Sequence, residues 1–213
     1  MTIGVHQPYF FPYLPYFQTI KAVDKFVLLE DVNYINKGYV NRNEILGSKF
    51  TIPLKGASQN KLINELEVVD KKEWMGAFLN LIVKTYTGYP YFTTVWLILE
   101  RVLMTETNIA KINHLAIKEV CAYLDIQTQI VSSTDYPKEA KGQYRIIDIC
   151  RKEKATRYIN AIGGKELYDK DLFFQIGLEL KFMKGTPTLS MIDLMMRYSQ
   201  DDIKHLLHAY ELE

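Results

Sequence analysis

The sequence has few cysteines and no run that fits a membrane helix. Cys121 and Cys150 match no metal-ligand spacing and indicate no disulfide framework. The uncharged stretch 85–99 has 15 residues and contains Pro90, so it is too short to cross a bilayer. The apolar start, 1–20, contains three prolines and no early cation, unlike a signal peptide. We therefore expect a cytoplasmic protein with no membrane span.

An excess of positive charge is also missing. The chain of 213 residues has 26 Lys and Arg against 25 Asp and Glu, which argues against a general nucleic-acid binder. It has no internal repeat, and we expect a single domain over 1–213. The motifs G-x-S-x-G, H-E-x-x-H, G-x-G-x-x-G and G-x-x-x-x-G-K-[ST] are absent. No metal site is expected, and no cofactor is identified.

What the chain does have is an alternation of strand and helix patterns. The apolar run 2–6 predicts a strand, 13–23 a short helix, and 25–30 a second strand, which together form a βαβ pattern. Further strands are predicted at 49–54, 128–131, 157–162 and 178–183, and helices at 71–86, 91–105, 109–123 and 143–152. Two S-x-x-D signatures predict further helix starts at Ser190 and Ser199. This order predicts an α/β fold: a mainly parallel, Rossmann-like sheet flanked by helices, with a helical C-terminal end.

Polar residues follow the predicted strands, at the edge where open parallel sheets bind ligands. His6 follows the first strand, and its imidazole could act as a general base near neutral pH. Asp31 follows the second and could orient that imidazole, bind a sugar hydroxyl or bind a cation. The alternatives are a histidine bonded to a nearby carbonyl and an aspartate that starts a turn. On helix 109–123, His114 falls opposite the apolar stripe and is expected at the surface.

Two further groups are candidates for anion binding. Arg42 lies between Asn41 and Asn43, and a guanidinium suits a carboxylate or a phosphate. Gly163-Gly164 follows a predicted strand, where backbone amides could cradle phosphate. A solvated loop and a plain turn are the alternatives for these two segments. The stretch 6–16 holds three Pro, three Tyr and two Phe, and fits either a stiff packed loop or an aromatic ligand pocket.

Several segments together resemble the WbqC-like family: HQPYFFPYLPYF at the start, FVLLEDVNY, the triplet NRN, and LSMIDLMM near the end. The resemblance runs from residue 3 to about residue 196. Segment 184–189 is shortened relative to the pattern that we expect for the family. The positions that match the family motif are His6, Gln7, Pro8, Tyr9, Asp31, Asn41, Arg42, Asn43, Arg145 and Asp193.

The resemblance implies a bacterial protein of surface-polysaccharide (O-antigen) biosynthesis that transfers an acyl group, such as glycyl, to the amine of a nucleotide-linked amino sugar. His6 and Asp31 would then be catalytic, and ATP or another activated acyl donor would be the co-substrate. The expected substrate-binding residues are Gln7, Tyr9, Tyr34, Asn41, Arg42, Asn43, Arg145, Gly163 and Gly164, with Tyr9 and Tyr34 stacking on a base or sugar.

Two alternatives remain open. One is a non-catalytic binding or scaffold protein of polysaccharide assembly. The other is a nucleotidyltransferase-like enzyme, because the N-terminal βαβ pattern also resembles Rossmann-like nucleotidylyltransferase domains. Their H-x-G-H signature is absent here, and fold analogy alone does not assign a function.

Overall fold

The computed structural model describes residues 1–185 and 189–213, and its elements alternate much as the periodicity predicts. The strands are β1 (Thr2–His6), β2 (Lys25–Leu28), β3 (Arg42–Ile45), β4 (Ser48–Thr51), β5 (Gln129–Ser132), β6 (Arg157–Ala161), β7 (Glu179–Gly185) and β8 (Tyr210–Leu212). The helices are α1 (Leu14–Lys21), α2 (Lys71–Tyr86), α3 (Phe92–Thr105), α4 (Ile109–Tyr123), α5 (Gly142–Lys152), α6 (Lys170–Gln175), α7 (Met191–Arg197) and α8 (Gln200–Leu206).

The main sheet has six strands in the order β5-β2-β1-β6-β7-β8. The first five of these run parallel, and β8 is antiparallel to β7. Numbered along the chain, the parallel strands have the order 3-2-1-4-5, as in a Rossmann-like sheet. The predicted α/β class, with its mainly parallel sheet and helical C-terminal end, is confirmed.

Helices cover both faces of the sheet because its strands alternate their buried side chains. In β1, Ile3 and Val5 belong to the core beneath α5 and α6, whereas Phe26 of β2 belongs to the larger core with α1 to α4 and α7. Gly4 faces Phe26, and a Cβ at that position would lie 2.8 Å from the phenyl ring. Glycine therefore lets α1 and the Phe26 ring pack closely over the central strand.

Four further features bear on the sequence expectations. Strand β3 begins at Arg42, within residues 34–55, for which the sequence predicts loops and short strands, and it pairs with β4 in a separate hairpin. Strand β8 was not predicted, because three residues give no readable period. Both S-x-x-D signatures do start helices: Ser190 and Ser199 accept hydrogen bonds from the backbone N–H groups of Asp193 and Asp202. Segment 184–189 lies partly outside the described residues.

His114 on α4 is not the surface histidine that the periodicity predicts. It is half-buried, and its Nε2 atom is buried without a hydrogen-bond partner in the part of the chain that the structure describes. This burial and the nearby Lys118 lower the pKa of His114 to about 4. None of the helices in residues 1–185 and 189–213 has the length and apolar character needed to cross a membrane.

We predict that His114 makes the fold acid-sensitive. Because its pKa is lower in the folded state than in the unfolded chain, the unfolded state binds more protons between about pH 6.5 and 4. Stability should fall as pH drops through this window. His114→Leu should flatten the fall by on the order of 1 kcal/mol, allowing for solvent screening, in urea unfolding at several pH values. The matched control is His208→Leu at an exposed position; an equal effect there would contradict the prediction.

Candidate functional site

A cavity opens where the strand order reverses. From β1 the chain moves to β2 on one side, and it returns to β6 on the other side of β1. Open α/β sheets bind ligands at such a switch point, beyond the carboxyl ends of the strands. Here the cavity has a volume of about 240 Å³ and is lined by His6 from β1 and by Asn160 and Ala161 from β6. We refer to it below as the His6 cavity.

The imidazole of His6 has a defined orientation in this cavity. Its Nδ1 atom lies 3.2 Å from the carbonyl oxygen of Gln7. Because a carbonyl only accepts, Nδ1 carries the proton and Nε2 is the basic nitrogen. Burial lowers the pKa of His6 below its ordinary 6.5, and the hydrogen bond to Gln7 offsets this only in part. His6 is therefore a neutral base at neutral pH.

Tyrosine rings form much of the wall of the His6 cavity. Tyr16 meets the His6 ring edge-on at 5.2 Å between centroids, and its hydroxyl donates to the Gln7 carbonyl at 3.2 Å. Tyr9 contacts Tyr16, Tyr13 and Tyr39 at centroid distances of 5.2, 6.2 and 5.9 Å. The Tyr13 backbone N–H donates to the Tyr9 hydroxyl at 3.1 Å. The aromatic stretch 6–16 thus lines a cavity as well as packing on itself.

Asp31 does not orient His6, which corrects one of its expected roles. Its buried carboxylate accepts from Ser133 Oγ at 2.5 Å and from Arg145 Nη2 at 2.8 Å, with Lys138 Nζ at 3.4 Å. A carboxylate removed from water needs a cation, and Arg145 supplies one from α5. Asp31 and Arg145 therefore form an ion pair at the carboxyl ends of β2 and β5. His6 instead takes its orientation from a backbone carbonyl.

The triplet Asn41-Arg42-Asn43 divides into two roles. Asn41 and Asn43 are buried, and their amide nitrogens donate to backbone carbonyls: Asn41 to Ile52, and Asn43 to Phe10 and Phe11. Arg42 lies between them and lines a different space, a cleft of about 500 Å³. Asn41 and Asn43 thus hold backbone in place, and their expected role in substrate binding stays a prediction. Asn43 also lines this cleft, but its amide nitrogen is already bonded to backbone, whereas Arg42 Nε has no such bond in the described residues.

Tyr34 and the glycine pair are the remaining candidates of the predicted site. Tyr34 is 5% exposed, and its hydroxyl donates to Asn41 Oδ1 at 2.9 Å, so its ring is not free to stack on a substrate. Gly163 and Gly164 lie in a 3-10 turn just after β6. A Cβ on Gly164 would lie 3.2 Å from Asn160 Nδ2, so this glycine allows close packing on a residue that lines the His6 cavity. Phosphate binding by this turn stays a prediction.

Asp193 fixes the hairpin that carries Arg42. It follows Ser190 at the start of α7, and its carboxylate accepts from Ser190 Oγ at 3.0 Å, from the Leu46 backbone N–H at 3.2 Å and from the Tyr86 hydroxyl. Burial and the Asp193 contact raise the pKa of the Tyr86 phenol. Leu46 lies in the turn between β3 and β4, so one carboxylate connects α2, α7 and the hairpin.

Several residues that line these spaces were not identified from the sequence. Tyr13 and Tyr16 belong to the aromatic stretch, whose density was the only signal for them. Tyr39 and the cleft residues Lys37 and Lys49 gave no signal, because the fold brings them to the site from a loop and a hairpin. Within the described residues, no cluster of three His, Cys, Asp or Glu side chains could hold a metal ion.

The fold and the site together define a Rossmann-like α/β protein with a histidine-containing cavity at the switch point of its sheet. The chain belongs to the WbqC-like protein family, whose model matches residues 7–205. It is also similar to an uncharacterized protein of Mycobacterium tuberculosis, Rv1507c. The two are 25% identical over 186 residues, which cover 84% of this chain and 80% of that protein. No solved structure gives a significant match.

We predict that Arg145 is needed to balance Asp31. Arg145→Met should cost about 3–5 kcal/mol of stability, because among the described residues it leaves the buried carboxylate with the exposed Lys138 as its one nearby cation. Adding Asp31→Asn should restore part of the loss. Urea unfolding measures both, and Arg151→Met on the exposed side of α5 is the control. A double variant no more stable than Arg145→Met would contradict a charge-pair role.

We predict that the Asn43 amide holds the N-terminal loop. Asn43→Ala should cost about 2–4 kcal/mol, because two buried carbonyls lose their donor. Asn43→Asp keeps the size but replaces the donor with an acceptor, so it should cost more. The melting temperature should fall by about 2–4 °C per kcal/mol for a chain of this size. Asn60→Ala, at an exposed position, is the control. Equal melting temperatures for the Ala and Asp variants would speak against this account.

Proposed function

We propose that this protein transfers an acyl group, such as glycyl, to the amine of a nucleotide-linked amino sugar in bacterial surface-polysaccharide biosynthesis. The observation that carries the proposal is the neutral His6 imidazole in a tyrosine-lined cavity at the switch point of the sheet. The nature of the substrate comes from the family resemblance; the cavity supports the chemistry.

A sugar amine is chemically suited to the His6 cavity. Amines accept acyl groups only in the neutral form, and a nearby base is needed to take the proton that leaves nitrogen. Nε2 of His6 is such a base, since Nδ1 is already occupied with the Gln7 carbonyl. The tyrosine rings offer apolar faces for the sugar, and their hydroxyls stay protonated because burial raises the pKa values of Tyr9 and Tyr16.

The reaction balances with an activated donor. The amine lone pair attacks the acyl carbon of an acyl adenylate, acyl phosphate or thioester and forms the C–N bond. The bond to the leaving group breaks with its electron pair, so AMP, phosphate or thiol departs. His6 Nε2 takes the proton from nitrogen and returns it to solvent or to the leaving group. ATP enters only where the donor is made on the enzyme.

An enzyme is favoured here over a scaffold protein by one feature. A protein-docking surface has no need of an oriented, neutral imidazole within a cavity, whereas a proton transfer requires both. The nucleotidyltransferase alternative is supported by the Rossmann-like strand order alone.

We predict that His6→Gln lowers kcat by roughly 10²–10⁴-fold with a much smaller change in KM, because the base is lost while the cavity wall remains. In the wild type, kcat should fall as pH drops through the pKa of His6, which lies below 6.5, because protonation removes the base. The variant should lose this dependence.

The assay follows acylated product by mass, from nucleotide-linked amino sugars with ATP plus glycine or with acyl-CoA. His208→Gln, at an exposed position, is the matched control. Unchanged turnover in His6→Gln would remove His6 from the mechanism. A well-folded wild type that binds these sugars without acylating them under any donor would reject acyl transfer.

A further inference from the structure

The cleft that contains Arg42, which we call the Arg42 cleft, is a second space next to the His6 cavity. More cationic than anionic side chains line it. Lys37, Arg42 and Lys49 line it, against a single carboxylate from Glu44. Its volume of about 500 Å³ is roughly twice that of the His6 cavity. Lys37 and Lys49 are exposed at the rim, whereas Arg42 is half-buried. An excess of cations around a cleft attracts an anionic ligand.

One hydrogen-bond donor of Arg42 has no acceptor in the described residues. Its Nε–H is buried and has no acceptor among residues 1–185 and 189–213. A buried donor without a partner costs free energy that a bound acceptor recovers. Arg42 has no ion pair in the described part of the chain to occupy it, in contrast to Arg145, which is paired with Asp31. Its guanidinium is therefore available to a ligand.

A tight turn forms one side of the cleft. Lys37 has a φ of 64°, in the left-handed region, and is followed by Gly38. A Cβ on Gly38 would lie 2.9 Å from the carbonyl oxygen of Ile35, so this tight turn requires glycine. The turn places Lys37 and Tyr39 on either side of Gly38, and all three line the cleft.

Two aromatic rings separate the cleft from the His6 cavity and belong to both. Tyr13 and Tyr39 line each space, with ring centroids 6.2 Å apart and an interplanar angle of 82°. Tyr39 is 64% exposed although it is a large aromatic residue. An extended ligand can therefore lie against these rings, with one end in each space.

We propose that the Arg42 cleft binds the diphosphate of the substrate, with the sugar against Tyr13 and Tyr39 and the amine in the His6 cavity. This rests on the proposed function for the placement of the amine, but the anion site itself does not. A diphosphate has acceptor oxygens enough for Arg42, Lys37 and Lys49 together, whereas one carboxylate satisfies one guanidinium fork. The number of cations and the volume of the cleft both favour the diphosphate.

Calorimetric titration with inorganic pyrophosphate and with UDP tests this site without any acyl donor. Arg42→Gln should weaken both affinities by about tenfold or more, the loss expected for a charged hydrogen bond. Lys49→Ala, at an exposed position, should weaken them less and with no effect on folding. His6→Gln should bind pyrophosphate as the wild type does. Arg151→Gln is the control for a lost surface arginine, and the melting temperature of each variant checks its fold.

The outcomes separate this site from the proposed chemistry. The site is overturned if Arg42→Gln and Lys49→Ala both leave pyrophosphate binding unchanged. It is also overturned if neither pyrophosphate nor UDP binds the wild type at millimolar concentration. Malonate binding as tight as pyrophosphate would reassign the cleft to carboxylates. Diphosphate binding that depends on Arg42, in a protein that acylates no amino sugar, would keep the site and reject the proposed function. Equal kcat/KM values on amino sugars with and without the diphosphate would keep the proposed acyl transfer and reject the Arg42 cleft as the place where the substrate diphosphate binds.

Discussion

Buried asparagine amides hold together the parts of the chain on which the site depends. The N-terminal loop contains Pro8 and Pro12, which have no N–H to donate, so its carbonyls need donors from elsewhere. Asn43 donates to the carbonyls of Phe10 and Phe11, and Asn113 on α4 donates to those of Pro8 and Val40. Phe11 has a φ of 43°, a left-handed conformation that these contacts help to maintain. The loop, the hairpin and α4 are thereby fixed relative to His6.

The same edge of the sheet carries two polar clusters with opposite character. At the ends of β2 and β5, Asp31 and Arg145 neutralise each other and are closed to solvent. At the ends of β1 and β6, His6 bonds through Nδ1 to the Gln7 carbonyl and lines a cavity. The ion pair fills the space at the ends of β2 and β5. The space at the ends of β1 and β6 is left open by the reversal of the strand order and can take a ligand. The ion pair therefore fixes the neighbouring strand ends, and a direct role of Asp31 or Arg145 in the reaction stays a prediction.

Periodicity was enough to predict most of the fold, but only part of the site. Helix 71–86 and strand 2–6 come out as predicted because long apolar stripes and buried runs are local signals. His6 was found because it ends such a strand. The Asp31–Arg145 pair joins residues 114 positions apart, so no local sequence pattern could predict it. Tyr39 reaches the cavity through a glycine turn, and His114 is covered by packing that one helix alone does not reveal.

The two spaces on either side of Tyr13 and Tyr39 suggest how binding and reaction are divided. The His6 cavity, at about 240 Å³, is below the usual volume of a small-molecule site and holds one end of a nucleotide sugar at most. On the proposed function, affinity for such a substrate would come from the larger, cationic cleft. Contacts to a group that does not react can hold the amine close to Nε2 and lower the entropic part of the barrier. On the proposed function, the Arg42 cleft thus serves turnover as well as affinity.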